Sequence, residues 1–324
     1  MRQLILDMLR REKLISGEEI GKRLKISRTA VWKHINELRK MGYEIESSPK
    51  IGYTFKKSTN LLLPEEIELG LNTQIMGKNV MHYDSISSTQ DIAAEMARTG
   101  AFEGTVVIAE TQEKGRGRKG RSWVSLPEGG IYLSLILRPN LLPSQVVQIP
   151  LLAGVALTKA IRETVPLQPV IKWPNDIVIG KKKVGGILTE MSSEIDGVNY
   201  VVLGIGLNVN MRAALFDENI CDIATSLIDE CGKYTSRVKL VQSFLRQFEL
   251  IYTKFLAHGF GSVRDEWKEL NNTFGSRVKI MDSGKDIEGD AIDIDNDGFL
   301  LIRRENGDIS RIISGDVSLR NPAC

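Results

Sequence analysis

The sequence predicts an α+β protein built from several domains, because its pattern of charge and apolar spacing changes twice along the chain. Residues 1–63 show helical spacing and many positive charges, residues 64–270 mix strand-like and helical runs, and residues 271–324 contain short strand-like runs separated by turns. A chain of 324 residues accommodates two or three domains at about 150 residues each. We therefore expect a three-helix head, a central mixed β-sheet with helices, and a small C-terminal β-domain, with boundaries at these positions.

Charge is distributed unevenly between the head and the rest of the chain. Residues 1–60 contain 14 Lys and Arg against 7 Asp and Glu, whereas the remaining residues contain 29 against 34. A basic head on a mildly acidic body is typical of a nucleic-acid-binding module joined to a domain with another task. The head is therefore the first candidate for contact with DNA.

The head carries the pattern of a winged helix-turn-helix. Three short helices are predicted before residue 42; a capping box at Ser16–Glu19 opens the second, and Ser27 caps the third. The alternating run 43–55 turns at Ser48–Lys50, which indicates a β-hairpin wing. The third helix is the one that presents side chains to DNA in this fold. The expected DNA-binding residues are Ser27, Arg28, Thr29, Trp32, Lys33 and Lys50. A protein-interaction module without a DNA role is the alternative.

A glycine- and arginine-rich loop lies between two apolar strands of the body. Residues 115–121 place four cations and three glycines within seven positions. Glycines let a backbone wrap closely around a ligand, and arginines donate forked hydrogen bonds that fit phosphate or carboxylate. The loop therefore predicts a site that grips and encloses an anion. It is not a dinucleotide fingerprint, because a strand rather than a helix follows the glycines.

Two other phosphate-binding classes are excluded by missing motifs. The chain contains neither the His-Arg-Asp nor the Asp-Phe-Gly motif of protein kinases. It also lacks the Gly-x-x-x-x-Gly-Lys-Ser/Thr motif of P-loop proteins. The anion site must therefore belong to another class.

Five motifs, taken in order, resemble those of bacterial biotin–protein ligases. The motifs are Ser88-Thr-Gln90, Gly115-Arg-Gly-Arg-Lys-Gly-Arg121, Lys172-Trp-Pro-Asn-Asp176, Lys183-Val-Gly-Gly-Ile-Leu188 and Gly204-Ile-Gly-Leu-Asn208. With the winged head attached, nearly the whole chain resembles the BirA-type family of bifunctional biotin ligases and biotin operon repressors. The family usually has Ser-Thr-Asn where this chain has Ser-Thr-Gln, so the amide contact at Gln90 is the least secure of the implied contacts.

The resemblance implies a reaction in two steps. The carboxylate of biotin is joined to AMP from ATP with release of pyrophosphate, and the biotinyl group then passes to one lysine of a biotin carboxyl carrier protein, as in acetyl-CoA carboxylase. The first step brings two anions together, so cations must offset their repulsion and the charge that develops at phosphorus. Arg116, Arg118 and Lys183 are the candidates for that catalytic role.

The resemblance also implies which residues hold the two substrates. The expected biotin-binding residues are Ser88, Thr89, Gln90, Gln112, Gly115, Arg116, Gly117, Arg118, Trp123, Lys183, Gly186, Leu188, Gly204 and Gly206. The expected ATP- and adenylate-binding residues are Arg118, Arg121, Lys172, Asn175, Asp176 and Asn208. Asp176 is also the candidate ligand for Mg²⁺. Trp123 and Leu188 are expected to wall the pocket, and the glycines to let backbone lie flat against the fused rings of biotin.

A reactive mixed anhydride must be shielded from water, which predicts lids over the site. Residues 115–121 are the first candidate, and the segment from Met211 to Asp222 is the second. The family further implies a homodimer that binds operator DNA of biotin genes, with biotinyl-AMP as corepressor.

The last 54 residues predict a small domain of short strands, which the resemblance identifies as an SH3-like barrel. Short strand-like runs are separated by turns at 282–284, 296–298 and 306–308. The run Asp293–Gly298 faintly matches a calcium loop, but flanking helices and a terminal Glu are missing. A role in steadying the substrate or acceptor protein is implied for this domain.

A cytoplasmic location is expected. We find neither a membrane-length apolar run nor a signal peptide, and three cysteines without close histidine partners fit a reducing compartment. Three alternatives stay open: a ligase whose head has no DNA role, a biotin-sensing repressor without catalysis, and a lipoate ligase of the same fold. The cations at Arg116, Arg118 and Lys183 argue against a mere sensor, and the glycine-arginine loop favours biotin over lipoate.

Overall fold

A computed structural model describes residues 1–48, 51–194, 197–212, 215–216, 220, 222–282, 285–313 and 315–320. Lys50, Cys221, Cys324 and parts of the second predicted lid lie outside these ranges. The chain divides into two compact units, Met1–Glu66 and Ile67–Cys324. The three-domain division at 63 and 270 stays a prediction.

The first unit has the predicted winged helix-turn-helix. Helices α1 (Arg2–Arg11), α2 (Gly17–Leu24) and α3 (Arg28–Lys40) precede the antiparallel strands β1 (Glu44–Ser48) and β2 (Gly52–Lys57). Both predicted caps form: Ser16 Oγ accepts from the Glu19 amide at 3.0 Å, and Ser27 Oγ accepts from the Ala30 amide at 3.1 Å. The apolar stripes of the three helices meet in one core, which includes Ile5, Leu9, Ile20, Val31, Ile35 and Leu38.

A buried carboxylate ties the end of the first unit to its core. Tyr43 donates from its hydroxyl to Glu66 Oε1 at 2.7 Å, and Arg10 forms an ion pair with the same carboxylate. Burial and the neighbouring Glu66 raise the pKa of Tyr43. The partners of Glu66 therefore fix where the chain leaves the head.

The second unit is built on a seven-stranded sheet in the order β3-β4-β5-β9-β8-β7-β6. Its strands are β3 (Asn79–Ile86), β4 (Thr105–Gln112), β5 (Gly130–Leu137), β6 (Val170–Lys172), β7 (Asp176–Ile179), β8 (Lys182–Glu194) and β9 (Gly197–Asn208). β3 and β4 are parallel, and the other neighbours are antiparallel. The predicted motifs fall at the ends of these strands or at glycines within them.

Helices lie on both faces of the sheet. The helices described after Leu63 are α4 (Pro64–Glu68), α5 (Thr89–Arg98), α6 (Ile149–Thr164), α7 (Leu227–Cys231), α8 (Arg237–His258) and α9 (Gly261–Leu270). α5 packs against Ile136 and Val202, whereas α6 and α8 face Leu133 and Ile205, which point to the other side because side chains alternate along a strand. No element is predicted above for the stretch that forms α7, α8 and α9.

One stretch of the described chain, Pro143–Thr164, is long and apolar enough to cross a membrane, although no apolar run of that length was expected. It comprises a 3₁₀ turn at Pro143–Gln148 and helix α6. Of its most apolar window, 72% is buried inside the protein. Its composition is therefore explained by packing in the core.

The C-terminal strands form a five-stranded antiparallel sheet in the order β13-β12-β11-β10-β14. They are β10 (Arg277–Asp282), β11 (Lys285–Ile294), β12 (Leu300–Arg303), β13 (Ile309–Ile312) and β14 (Asp316–Arg320). Closure into a barrel stays a prediction. The Asp295 carboxylate accepts from the amides of Asp297 and Phe299, both at 2.9 Å, and Arg311 pairs with it, which agrees with rejecting a calcium loop.

Candidate active site

A cleft of about 780 Å³, including its open mouth, lies over β5, β8 and β9. This size is ordinary for a small-molecule site. Sixteen of the predicted ligand-binding residues line it: Ser88, Thr89, Gln90, Gln112, Arg116, Gly117, Arg118, Arg121, Trp123, Asn175, Asp176, Lys183, Gly186, Leu188, Gly204 and Gly206. The lining also includes Ser122, Leu133, Ser134, Ile187 and Ile205, which were not predicted.

The start of α5 forms one polar wall of the cleft. Ser88 caps the helix, with Oγ accepting from the Gln90 amide at 3.3 Å. The Thr89 amide donates to Gln112 Oε1 at 2.8 Å, and Thr89 Oγ1 lies 3.1 Å from the same oxygen. Gln112 in turn donates from Nε2 to Ser125 Oγ at 3.0 Å. The side chains predicted to bind the head of biotin are thus held in one network.

Gln90, the departure from the family pattern, is buried beneath this wall with 3% of its surface exposed. Its Nε2 donates to the Val202 carbonyl at 3.1 Å, and its Oε1 lies 2.9 Å from Ser134 Oγ. A Cβ on Gly204 would lie 2.6 Å from that Oε1. The longer amide therefore fits because residue 204 has no side chain.

Ser134 is the functional candidate that motif reasoning missed. It is the polar residue of the buried strand Gly130–Leu137, and its side chain is fully buried. A hydroxyl in a strand that is otherwise apolar, Tyr132 aside, must find a partner when buried. That pattern, rather than any motif, was the available sign that the strand borders a polar site.

The Trp123 ring lies against the backbone of Gly186 and Gly206. A Cβ on Gly206 would approach the indole to 2.5 Å, and one on Gly186 would approach it to 3.1 Å. Within the described residues the indole Nε1 is buried without a hydrogen-bond partner. The ring therefore covers the backbone on which the fused rings of biotin were expected to lie.

The opposite end of the cleft is cationic. Arg118 donates from Nη1 to Asn175 Oδ1 at 2.9 Å, and Asn175 donates from Nδ2 to the Ile187 carbonyl at 2.7 Å. Lys183 Nζ lies 2.6 Å from Asp176 Oδ1 and 5.5 Å from the centre of the Trp123 ring. Two of the three predicted catalytic cations are therefore held beside the motif that ends at Asp176.

Arg116 has other partners. Its Nη2 lies 2.7 Å from Asp91 Oδ1 and 2.9 Å from Glu190 Oε2, and all three side chains are exposed. Exposed ion pairs of this kind contribute only about 0–1 kcal/mol to stability. Arg116 must therefore exchange these carboxylates for the ligand if it acts as predicted.

Three predicted ligand contacts do not line the cleft. Gly115 accepts from the Trp123 amide at 2.9 Å, and a Cβ there would lie 2.4 Å from the Trp123 carbonyl, so this glycine shapes the loop. Asn208 is buried and donates to the Thr225 carbonyl at 2.9 Å. Lys172 pairs with Asp176 in the β6–β7 ladder. Their direct contact with ligand stays a prediction.

The main chain of Lys183 is joined to the stretch that follows the second predicted lid. The Lys183 amide donates to the Ile223 carbonyl, and the Thr225 amide donates to the Lys183 carbonyl, both at 2.8 Å. These bonds form a parallel bridge between Lys183 and Ala224. The amide and the carbonyl of this lysine are therefore both bonded to the same neighbouring stretch.

The motif around Lys172 also contacts the segments that precede and connect the C-terminal strands. Trp173 donates from its amide to Thr273 Oγ1 at 3.0 Å and from Nε1 to the Gly298 carbonyl at 3.4 Å. Residues flanking the C-terminal strands thereby hold the backbone and the indole of Trp173.

In the first unit, the N-terminal half of α3 presents the predicted DNA-binding side chains to solvent. Arg28, Thr29 and Lys33 are exposed, and Trp32 is 56% exposed. Ser27 is occupied as the cap of the helix. An exposed tryptophan between two cations is suited to contact with another molecule, since large apolar side chains are normally buried.

Three sequence families match consecutive parts of the chain. A helix-turn-helix domain matches residues 2–54, the biotin/lipoate A/B protein ligase family matches 83–208, and the biotin protein ligase C-terminal domain matches 273–320. These matches follow the order of elements expected from the sequence.

Individual proteins match over most of the chain. It is 42% identical over 305 residues to the bifunctional ligase/repressor BirA of Bacillus subtilis (strain 168), a match that covers 94% of each protein. It is 31% identical over 307 residues to BirA of Escherichia coli (strain K12), covering 94% of this chain and 93% of that one. Among solved structures, biotin protein ligase from Aquifex aeolicus in complex with biotin and ATP matches 76% of this chain and 100% of that chain, with a TM-score of 0.66 and 32% identity.

The fold and the cleft together define a class of protein, a ligase of the biotin and lipoate type preceded by a helix-turn-helix domain. The relatives that share both parts match from the head to the C-terminal sheet. The chain belongs to the BirA family of bifunctional ligase/repressor proteins. The resemblance first drawn from five short motifs is thereby confirmed.

Proposed function

We propose that this protein is an ATP-dependent biotin–protein ligase that also represses the biotin operon. The main support for ligase activity is the order in which polar, apolar and cationic groups follow one another along one cleft. A network of hydroxyls and amides lies at one end, glycines form the middle, and Arg118 and Lys183 lie at the other. Biotin has the same sequence of parts: a polar ring head, an apolar body and a carboxylate.

In the first step, an oxygen of the biotin carboxylate forms a bond to the α-phosphorus of ATP, and pyrophosphate leaves with the electrons of the bond that breaks. Lys183 and Arg118 reduce the repulsion between the two anions and stabilise the charge at phosphorus. Asn175 holds the Arg118 guanidinium in place at 2.9 Å. Arg121 and Asp176 also line this end of the cleft and are assigned to the nucleotide.

In the second step, the amine of the acceptor lysine attacks the carbonyl carbon of biotinyl-AMP. AMP leaves, an amide bond forms and the amine loses its proton. The acceptor is the biotin carboxyl carrier domain of acetyl-CoA carboxylase or of another biotin-dependent carboxylase.

We assign the binding of Mg²⁺ mainly to the phosphates of the nucleotide, and not to a set of several protein ligands. Within the described residues, no group of three or more His, Cys, Asp or Glu is placed to hold a metal ion. One carboxylate together with substrate phosphates is a usual way to bind Mg²⁺. Asp176 would supply that carboxylate, and the ion would offset phosphate charge during adenylation.

The ligase proposal is tested by labelling a biotin carboxyl carrier domain with biotin and ATP, with lipoate as the parallel substrate. We expect biotin transfer with release of one pyrophosphate per biotin, and little transfer of lipoate. Tight binding of biotin without transfer would instead favour a sensor that lacks catalysis.

The repressor activity is assigned to the exposed half of α3. We expect a salt-sensitive gel shift on DNA from upstream of biotin genes, because each phosphate contact releases a counterion. Lys33→Ala should weaken binding, whereas Lys40→Ala, at the far end of the same helix, serves as the control. Lys50 is a further predicted contact. A head that binds no DNA under low salt would support the alternative of a ligase without repression.

Repression further requires a homodimer, since operators read by helix-turn-helix proteins are two-fold symmetric. We assign biotinyl-AMP as the corepressor: if it favours the dimer, operator binding must favour the liganded state by the same factor. Sedimentation with and without biotin plus ATP tests this link. Equal operator affinity in both states would contradict it. We infer a cytoplasmic location from the proposed substrates, acceptor and operator.

A further inference from the structure

The main chain of Lys183 lies beyond the end of the ladder between β8 and β9. That ladder begins at Gly185, which pairs with Leu207, and β9 ends one residue later at Asn208. On the other edge of β8, a bulge between Lys183 and Gly185 interrupts the pairing with β7. A bulge disrupts a ladder locally and changes the direction of the side chains beside it. Another segment must therefore complete the pairing at this lysine.

The stretch Ile223–Thr225 supplies that pairing. The Lys183 amide donates to the Ile223 carbonyl, and the Thr225 amide donates to the Lys183 carbonyl, both at 2.8 Å. The two bonds continue the edge of β8 where β9 has ended. Only 2% of Thr225 is exposed, so water is largely excluded from these bonds. The position of Lys183 therefore depends on the groups that fix Thr225.

Two side chains fix Thr225. Asn208 donates from Nδ2 to the Thr225 carbonyl at 2.9 Å, and the Thr225 hydroxyl donates to Glu230 Oε1 at 2.6 Å. A hydrogen bond to a carboxylate is shorter and stronger than a bond between two neutral groups. Glu230 lies on α7, which has five residues, and so short a helix needs tertiary contacts to be stable. The hydroxyl–carboxylate contact therefore ties the start of α7 to the stretch that holds Lys183.

Resting on the function proposed above, we propose that Thr225 and Glu230 are positioning residues for adenylation. Neither is among the described residues that line the cleft. They act through the main chain of Lys183, whose ammonium must lie where the carboxylate and the phosphate meet. Asp176 holds that ammonium separately, at 2.6 Å. The two ends of the lysine are thus fixed by different partners, and loosening the main-chain end displaces the charge.

The test measures pyrophosphate release in a single turnover with biotin and ATP, using the full-length protein. Thr225→Val removes the hydroxyl but keeps the shape of the side chain. It should slow release about tenfold, because a small displacement of a catalytic group lowers the rate steeply, while the dissociation constant for biotin stays unchanged. Thr225→Ser, which keeps the hydroxyl, should restore most of the rate. Glu230→Ala should reproduce the loss, and this side chain is exposed, so its removal leaves the core intact.

A double-mutant cycle with Lys183→Ala distinguishes positioning from a general loss of stability. If Thr225 acts through Lys183, Thr225→Val should slow the wild-type protein but not the Lys183→Ala variant. A general defect would slow both by the same factor. Ser243→Ala is the matched control, because Ser243 is also a buried hydroxyl that donates to a carboxylate, that of Glu163 on α6. This control should keep the wild-type rate.

Two outcomes would overturn the proposal. One is a wild-type rate in either Thr225→Val or Glu230→Ala; the other is equal slowing with and without the Lys183 side chain. If Thr225→Val does not fold, as judged by circular dichroism, Glu230→Ala takes its place in the cycle. Failure of the wild-type protein to release pyrophosphate at all would instead reject the proposed ligase activity, so the two failures are distinguishable.

Discussion

Lys183 Nζ lies 2.6 Å from Asp176 Oδ1, so the cation assigned to the reaction is held by a carboxylate before any substrate arrives. Both residues belong to the β7–β8 hairpin, and Asp176 closes the motif that begins at Lys172. A lysine side chain is flexible and loses considerable entropy when it is fixed. The ion pair fixes the ammonium in advance, close to where the two anions must meet.

Replacing Lys183 by Ala should slow adenylate formation by about 10²–10³-fold, the usual effect of removing one group that stabilises the transition state. Acceptor docking should change little, because the ammonium lies inside the cleft. Pyrophosphate release in a single turnover measures the first step. Lys181→Ala, at the exposed turn before β8, is the matched control. A normal single-turnover rate in Lys183→Ala would remove this residue from the mechanism.

Replacing Gly204 by Ala should weaken biotin binding at least about tenfold. The new Cβ would lie 2.6 Å from Gln90 Oε1, which accepts from Ser134 Oγ, while Nε2 of the same amide donates to the Val202 carbonyl. The amide must then leave its position. Gly197→Ala is the control, since it lies in the same strand with open space at the Cβ position. Calorimetric titration with biotin separates the two variants, and equal affinities would show that Gln90 tolerates the shift.

The Gly115–Arg121 loop should become protected from trypsin when biotin and ATP are added together. It offers exposed cleavage sites at Arg116, Lys119 and Arg121. An enclosed adenylate would draw these cations inward and order the loop. Cleavage at the exposed Lys181 provides the internal control, since this turn is not part of the predicted lid. Digestion followed by mass spectrometry gives both rates; an unchanged loop rate would contradict the lid.

Stability should fall as the pH rises above about 10. Burial raises the pKa of Tyr132 to about 12, whereas a tyrosine in an unfolded chain ionises near pH 10. Between these values the unfolded state has lost a proton that the folded state retains, so the free energy of unfolding decreases with pH, by up to about 1.4 kcal/mol per pH unit. Burial also raises the pKa of Tyr252. Urea unfolding from pH 9 to 12 measures the slope, which should be smaller in Tyr132→Phe. Identical slopes would contradict the assignment.

The sequence predicted those parts of the site that short motifs specify. Glycines that a backbone approaches, cations in a loop and helix caps such as Ser88 are local features, and most of the residues they indicated line one cleft. The winged head was predictable for the same reason, because its capping residues and apolar spacing lie within a few residues of each other.

What the sequence did not predict depends on contacts between distant segments. Arg116 pairs with Asp91 and Glu190, and Ser134 contacts Gln90. These partners lie far apart in the sequence, so a local sequence pattern does not reveal the contacts. Trp123 lies over Gly206 because the loop folds back on the sheet. Helix α8 packs mainly on α6. It has an apolar pattern, but no short sequence motif indicated the helix.

The parallel bridge between Lys183 and Ala224 joins the lysine assigned to adenylation to the stretch Ile223–Thr225. A displacement of Ala224 is passed to the Cα of Lys183 through the main chain, without involving any side chain that contacts a ligand. Ala224 and Lys183 therefore belong to one hydrogen-bonded piece of main chain. We expect substitutions at Ile223 or Ala224 to change the rate of adenylation, although neither residue lines the cleft.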